Sequence, residues 1–355
     1  MTENKTIHGC RSAVHRGALP AILAIAASAA ASRRAAAEIP LNYLGASGKR
    51  ASEILPLTYG VIAISCAVIV IIAGLLLWAI LRRRTGPDRR TFDNTPPERS
   101  GSGLQWIGWG VGISTLVLCG SVVWTVATLS AVIDPGKDPP ITLEVTGYQW
   151  WWDVHYVGDM PSQGFSTANE IHIPVGEPVR IRLVGTDVIH SFWVPALSGK
   201  VDVIPGRTNE TWLQADRPGT YRGQCTEYCG VQHAKMGFLV IAQPPDEFEA
   251  WRQAQLRPAS EPASPMAQQG QRQFQARCAP CHTVRGTGAG GRVGPDLTHL
   301  ASRQTLAAAT LRNTPEQLAY WVTHTQQVKP GNRMPDIDMG ERQLAELTAY
   351  LETLE

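Results

Sequence analysis

The sequence predicts three parts: a transmembrane hairpin of two helices, an all-β sandwich and an all-α domain. Two apolar runs, about 57–81 and 104–133, are long enough to cross a bilayer, which takes about 20 residues. Short β-rich runs separated by Gly and Pro fill residues 141–242. Residues 266–355 carry a Cys-x-x-Cys-His sequence and end in an amphipathic helical pattern. At 355 residues the chain has room for several domains.

Residues 1–37 are typical of a signal peptide. Arg11 and Arg16 precede an alanine-rich apolar stretch at 19–31, and small residues follow at 35–37. The alternative is a third membrane helix, but this stretch is too short to span a bilayer comfortably.

We assign residues 38–134 to the transmembrane hairpin. The loop between its two apolar runs is rich in arginine: Arg82, Arg83, Arg84, Arg89, Arg90 and Arg99. This excess places the loop in the cytoplasm and both ends of the mature chain outside. Neither apolar run contains a histidine, so the chain offers no imidazole for a metal inside the membrane. The net charge of +2 and the lack of a basic run in the soluble regions give no reason to expect a nucleic-acid partner.

Residues 138–256 are predicted to form the sandwich domain. Its predicted strands are Ile141–Val145, Ile171–Pro174, Val179–Val184, Thr211–Gln214 and Phe238–Ala242. A short helix with Asp246 as its N-cap is expected to end the domain at Leu256. Residues 257–265, rich in Pro, Ala, Ser and Glu, are predicted to be a mobile linker.

Soft metal ligands are concentrated in one stretch of the sandwich domain: Cys225, Cys229, His233 and Met236. Thiolate, thioether and imidazole ligands together favour copper. One cysteine suffices for a single copper, whereas two cysteines can bridge two coppers. A dinuclear site then needs a second imidazole, for which His190 is the candidate. The alternatives are a disulfide, which the exported half would allow but which needs neither His nor Met, and zinc, for which Met is a poor ligand.

The last predicted domain contains Cys278-Ala279-Pro280-Cys281-His282. This pattern attaches a c-type haem through the two cysteines and uses the adjacent histidine as an axial ligand. A thioredoxin-like redox pair and a zinc knuckle are the alternatives. The flanking sequence favours haem, because Gly294-Pro295-Asp296-Leu297 follows at a suitable distance and Glu341–Leu354 forms a closing amphipathic helix.

Residues 266–355 resemble class I cytochrome c. The resemblance implies a methionine as the sixth iron ligand, on a loop before the closing helix. Met334, followed by Pro335, fits the Met-Pro pattern of that family, and Met339 is the second candidate.

Residues 50–250 resemble cytochrome c oxidase subunit II. The resemblance rests on the Cys-x-Glu-x-Cys-x-x-x-His-x-x-Met sequence from Cys225, on Asp187-Val188-Ile189-His190-Ser191, on Tyr148–Trp152 and on Ile204–Arg207. It implies a cupredoxin-like Greek-key fold and a dinuclear CuA centre. The implied copper ligands are His190, Cys225, Glu227 through its backbone carbonyl, Cys229, His233 and Met236.

The same resemblance assigns further roles. Trp150 corresponds to the residue through which electrons reach copper, a role that could be internal here because the chain has its own haem domain. The Glu227 carboxylate is a candidate magnesium ligand at the interface with subunit I, and Lys200, Asp202 and Arg207 are similar to residues near that interface. Many family members have a glutamate shortly before the second helix, where this chain has Gly103, so its role in proton transfer does not carry over directly.

The two resemblances together imply subunit II of a caa-type oxidase in the bacterial inner membrane, with its metal domains on the periplasmic side. Its haem c would pass electrons to copper and then to subunit I, which reduces oxygen. The expected partners are subunit I, subunit III and an upstream cytochrome c or quinol–cytochrome c reductase. The alternatives are a nitrous oxide reductase, which lacks such a membrane hairpin, and a free-standing, membrane-tethered electron carrier or copper-delivery protein.

Overall fold

The computed structural model of the chain describes residues 41–82 and 102–355. The predicted signal peptide, and all of the loop arginines except Arg82, lie outside the described residues. The described helices are α1 Lys49–Leu81, α2 Ser102–Ile133, α3 Pro245–Leu256, α4 Pro265–Arg277, α5 Pro315–Thr323, α6 Thr325–Val328 and α7 Glu341–Leu351.

Helices α1 and α2 are both long and apolar enough to cross a membrane. Helix α1 begins at Lys49, earlier than the predicted start at residue 57, because its first turns pack against the sandwich domain. The Arg50 guanidinium donates to the Trp212 carbonyl at 3.1 Å and lies 5.3 Å from the centre of the Trp212 ring. Apolar length alone therefore misses the polar start of this helix.

The end of α2 is attached to the same place on the sandwich. The Trp212 indole N–H donates to the carbonyls of Val132 and Ile133 at 3.1 and 3.2 Å. Lys49, at the start of α1, donates to the Pro135 carbonyl at 3.1 Å. The start of α1 and the end of α2 therefore lie together on the sandwich side of the hairpin.

Two five-stranded sheets form the sandwich. Its strands are β1 Ile141–Tyr148, β2 Trp151–Val157, β3 Phe165–Ala168, β4 Glu170–Pro174, β5 Val179–Gly185, β6 His190–Trp193, β7 Val201–Val203, β8 Thr208–Leu213, β9 Gly219–Cys225 and β10 Gly237–Gln243. One sheet has the order β3-β2-β1-β5-β8 and the other β4-β10-β9-β6-β7. Trp152, Phe192 and Phe238 lie fully buried between the sheets, with ring centroids 4.6–5.9 Å apart.

Strands β2, β3, β6, β7 and β9 were not predicted. Strand β9 has the sequence Gly-Thr-Tyr-Arg-Gly-Gln-Cys, which lacks a β-branched apolar run. It forms because it pairs with β10 on one side and with β6 on the other. The prediction of Asp246 as N-cap is wrong, since α3 begins at Pro245 and Asp246 lies in its first turn.

In the last domain, α4 and α7 cross at Gly270. A β-carbon on Gly270 would lie 1.9 Å from the Glu346 carbonyl oxygen, so only glycine allows this close approach. Phe274 and Tyr350 pack edge to face beside the crossing, with centroids 5.5 Å apart. Two short hairpins complete the domain, β11 Thr283–Val284 with β12 Ala289–Gly290, and β13 Thr305–Leu306 with β14 Leu311–Arg312.

The connection at residues 257–265 is attached to the last domain. The Ala259 N–H donates to the Arg285 carbonyl at 3.0 Å, and the Arg257 carbonyl contacts His299 Nε2 at 3.1 Å. The expectation of a mobile linker is therefore wrong for its first residues, which fold back along the haem-motif domain. Its last residue, Pro265, already belongs to α4.

Candidate metal and haem centres

The loop between β9 and β10, together with the first residue of β6, brings the candidate copper ligands together. Strand β9 ends at Cys225 and β10 begins at Gly237, so the loop between them carries the other cysteine, the histidine and the methionine. A hydrogen bond of 3.0 Å from Cys225 N–H to the Met236 carbonyl closes this loop. Because β6 pairs with β9 through Phe192 and Cys225, His190 lies next to the loop.

The ligand atoms form a compact, buried cluster. The Cys225 and Cys229 sulfurs are 3.8 Å apart, and Cys225 Sγ is 3.9 Å from His190 Nδ1. Cys229 Sγ is 3.6 Å from His233 Nδ1 and 3.7 Å from Met236 Sδ. The two cysteines are free and too far apart for a disulfide bond, which is about 2.05 Å long.

The donor set fits copper. Protein sulfur–metal bonds of about 2.3 Å allow two sulfurs on a shared metal to lie up to ~4.6 Å apart, so 3.8 Å suits bridging thiolates. The hydrogen bond with Cys229, and next that with His190, lowers the pKa of the Cys225 thiol against the opposing effect of burial, while the same contact with Cys225 raises the pKa of Cys229. Cys225 is therefore the thiol of the pair that gives up its proton first, and the thiolate is the form that binds metal.

Asp187 orients His190. Its Oδ1 lies 2.8 Å from His190 Nε2, which leaves Nδ1 directed at Cys225. Burial alone would raise the pKa of Asp187, but hydrogen bonds from His190 and from the N–H groups of Val188 and Gln149 hold it below its ordinary value. The carboxylate therefore fixes the imidazole tautomer that a metal needs.

Glu227 meets the cluster through its backbone. Its carbonyl oxygen is 3.3 Å from Cys225 Sγ. Its half-exposed carboxylate points away and lies 3.9 Å from Lys200 Nζ, which also contacts Asp202 at 3.3 Å. Arg207 is exposed on the same domain. Glu227 thus offers different atoms to the copper cluster and to the surface.

A cavity between the last domain and the sandwich is lined by the haem-attachment residues. Cys278, Cys281 and His282 line one side of it, and Met334 also lines it. Among the described residues that line this cavity Met339 does not appear, and it packs instead against the hydrophobic core of the domain.

His282 is prepared to act as a ligand. Its Nδ1 is 2.8 Å from the Pro295 carbonyl, which fixes the tautomer with Nε2 free. Burial lowers the pKa of His282, so the imidazole stays neutral. A β-carbon on Gly294 would lie 2.5 Å from His282 Cε1, so glycine is required beside the ring. The cavity and its donors fit a covalently attached haem.

Trp150 lies between the two centres. It also lines the haem cavity, and its indole N–H donates to the Cys229 carbonyl at 2.9 Å. Gln149 Nε2 donates to the same carbonyl at 2.7 Å. Trp150 is only 8% exposed, because it packs in the sandwich core and is also contacted by Lys329 and Gly331 of the last domain.

The sandwich domain, residues 138–256, is called the copper domain below, and the last domain, residues 266–355, is called the haem domain. The contact between these two domains is called the seam. Its hydrogen bonds include those that join Glu170 to Gln304 and Thr305, Arg222 to Ala309, Gln232 to Pro330, Lys235 to Val328, Gly237 to Ala308, Arg285 to Gln255, and Lys329 to Trp150. Sequence reasoning missed Lys329, Gln149 and the role of Asp187. No pattern marks Lys329, because it is buried by a domain far away in the sequence.

Comparisons with known proteins identify the families that this chain is similar to. Residues 159–243 match the family described as "Cytochrome C oxidase subunit II, periplasmic domain", and residues 267–355 match "Cytochrome c". The chain is 37% identical to "Cytochrome c oxidase subunit 2" of Alkalihalophilus pseudofirmus, over 81% of this chain and 82% of that protein. It is 32% identical to the protein of the same name from Bacillus sp. PS3, over 77% of this chain and 79% of that protein. The crystal structure of the periplasmic domain of subunit II of cytochrome oxidase from Bradyrhizobium japonicum is 34% identical, with a TM-score of 0.31, and covers 34% of this chain and 95% of that one.

Proposed function

Because the chain belongs to the cytochrome c oxidase subunit II family, we propose that it takes up electrons on a haem c and delivers them, through a dinuclear copper centre, to the oxygen-reducing subunit I. The chain is a subunit of a haem-copper oxidase and combines the subunit II periplasmic domain with a cytochrome c domain. The observation that supports the internal route is Trp150, which both lines the haem cavity and bonds to the carbonyl of Cys229.

The proposed copper ligands are His190, Cys225, the Glu227 carbonyl, Cys229, His233 and Met236. The residues proposed to bind haem are Cys278 and Cys281, which would attach it covalently, and His282 and Met334, which would ligate its iron. Bound copper and haem supply reversible one-electron chemistry. The protein holds these ligands in a closed, largely buried arrangement, so the coordination changes little when an electron arrives or leaves.

Metal analysis tests the copper number. We expect two coppers per chain, because two cysteine sulfurs lie 3.8 Å apart with an imidazole beside each. Cys229→Ser should remove the spectrum of the copper pair, since a hydroxyl does not replace a bridging thiolate. One copper per chain after full reconstitution would contradict the dinuclear centre.

The protein is membrane-bound and carries a periplasmic domain, and we propose the bacterial inner membrane as its site. The two helices of the hairpin expose apolar side chains along most of their length, which suits contact with lipid and with other oxidase subunits. Subunits I and III are the proposed neighbours, and a cytochrome c or a quinol–cytochrome c reductase the proposed donor. A magnesium ion held by the Glu227 carboxylate remains a further proposal.

Flash reduction of the haem in the purified oxidase tests the electron route. Haem oxidation should coincide with copper reduction, at a rate independent of protein concentration, because both centres lie on one chain. Trp150→Phe should slow this step, whereas Trp251→Phe, which alters a ring stacked on His172 in the sandwich, should not. Haem that stays reduced beside an intact, oxidised copper pair would overturn the proposal.

A further inference from the structure

Two described lysines, Lys235 and Lys329, donate hydrogen bonds across the seam, and of these only Lys329 is buried. It belongs to the haem domain and is only 3% exposed. Its Nζ donates to the Trp150 carbonyl at 2.6 Å and lies 3.4 Å from the Ala307 carbonyl. A buried amino group is unfavourable unless it is hydrogen-bonded, so this side chain fits only while the two domains are in contact.

The turn that contains Ala307, the second acceptor of Lys329, also contacts the other domain at the seam. Ala307, Ala308 and Ala309 have φ values of 53°, 60° and 57°, in the left-handed region that non-glycine residues rarely adopt. Their carbonyls accept from Lys329, from the Gly237 N–H and from Arg222. Strained backbone of this kind persists where surrounding contacts hold it, and here those contacts come largely from the copper domain.

Lys329 also connects the two ligand sets. It lies on the same loop as Met334, while its acceptor, Trp150, bonds through its indole to the carbonyl of Cys229. Gly331 of this loop lies over the Trp150 ring, since a β-carbon on it would be 3.8 Å from Trp150 Cη2. One buried hydrogen bond therefore joins the methionine loop of the haem domain to the tryptophan beside copper.

We propose that Lys329 is a positioning residue that fixes Trp150 against the haem cavity, so that electrons cross a permanently docked pair of domains instead of waiting for a tethered domain to find its partner. This inference rests on the proposed electron route. The bond between Lys329 and the Trp150 carbonyl is buried and joins one side chain to one backbone atom. It therefore fixes a single arrangement of the two domains, which attraction between exposed charges does not. Lys329 also lines the haem cavity, so the competing role is a direct bond to a carboxylate of the haem.

The experiment measures haem-to-copper transfer after flash reduction in the complete oxidase, with and without glycerol to raise the viscosity. The wild-type rate should not change with viscosity, because no domain movement precedes transfer. Lys329→Met, which keeps the aliphatic stem but removes the donor, should lower the rate about tenfold, the equilibrium factor for leaving one buried acceptor, the Trp150 carbonyl, without its partner. Its remaining rate should fall as viscosity rises. The control is Lys137→Met, which removes an exposed lysine paired with Glu177 and should behave as wild type.

Redox titrations of both centres complete the test. Unchanged potentials in Lys329→Met, together with the slower and viscosity-dependent rate, would support positioning. A wild-type rate that already falls with viscosity, or an unchanged rate in Lys329→Met, would overturn the inference while leaving the electron route intact. A slower rate explained entirely by a shifted haem potential would assign Lys329 to the haem carboxylate and also overturn it. Absence of any transfer in the wild type would instead contradict the electron route itself.

Discussion

Asp187→Asn should weaken copper binding without unfolding the sandwich. Asp187 accepts three hydrogen bonds: Oδ1 from His190 Nε2 at 2.8 Å and from the Val188 N–H at 2.7 Å, and Oδ2 from the Gln149 N–H at 2.7 Å. Asparagine keeps one acceptor oxygen and replaces the other with an amide that cannot accept. At least one part-buried N–H then loses its partner, which costs about 1–3 kcal/mol. Loss of such a partner behind a metal-binding histidine lowers affinity about 10- to 100-fold, or about 1.4–2.7 kcal/mol.

Competition with a copper chelator, followed by the absorbance of the copper pair, measures this affinity. The pKa of Asp187 is depressed, so its contribution is complete above the ordinary value of about 3.9 and is lost only as pH falls through its folded pKa. The difference between variant and wild type should therefore stay constant from about pH 5 to 8. The control is Asp138→Asn, which removes an exposed partner of Arg180. An affinity for copper within twofold of wild type in a folded Asp187→Asn protein would refute the reasoning.

Three further outcomes are expected. Met334→Leu should abolish the methionine–iron absorption band while the haem stays covalently attached, whereas Met339→Leu should keep it, and the opposite pattern would exchange their roles. Burial lowers the pKa of Lys329 to about 7, whereas its value in the unfolded chain is near 10.4. Between these two pH values the unfolded chain binds more protons than the folded chain, so the free energy of unfolding should rise with pH. Denaturant unfolding followed by haem absorbance should show this rise in the wild type and lose it in Lys329→Met. A reporter active only in the periplasm, fused after Glu355, should be active, and activity only of a cytoplasmic reporter would contradict the topology.

The sequence was most informative where ligands lie close together along the chain. Cys225, Cys229, His233 and Met236 belong to one loop between paired strands, so their spacing alone predicts a cluster, and the structure brings them together. The same holds for Cys278-Ala279-Pro280-Cys281-His282, which lies at the end of one helix and lines one cavity. Local spacing is preserved in any fold that allows the loop to close.

What the sequence did not reveal depends on contacts between distant segments. Lysine is usually exposed on protein surfaces, and Lys329 is buried because the copper domain covers it. Strand β9 lacks the apolar pattern of a strand and forms because its neighbours supply hydrogen bonds on both sides. The predicted start of α1 was too late because Arg50 is stabilised by Trp212, more than a hundred residues away. In each of these cases the local structure depends on contacts with distant segments, which a local sequence pattern does not contain.

The attachment of both helices to Trp212 has a mechanical consequence. A ring that holds Arg50 on its face and bonds through its nitrogen to the end of α2 leaves no flexible stalk between bilayer and sandwich. The distance of the cysteine cluster from the lipid surface is then fixed by these contacts between the helices and the sandwich. A tilt of the hairpin within the bilayer would therefore also tilt the cysteine cluster, because Trp212 joins both helices directly to the sandwich.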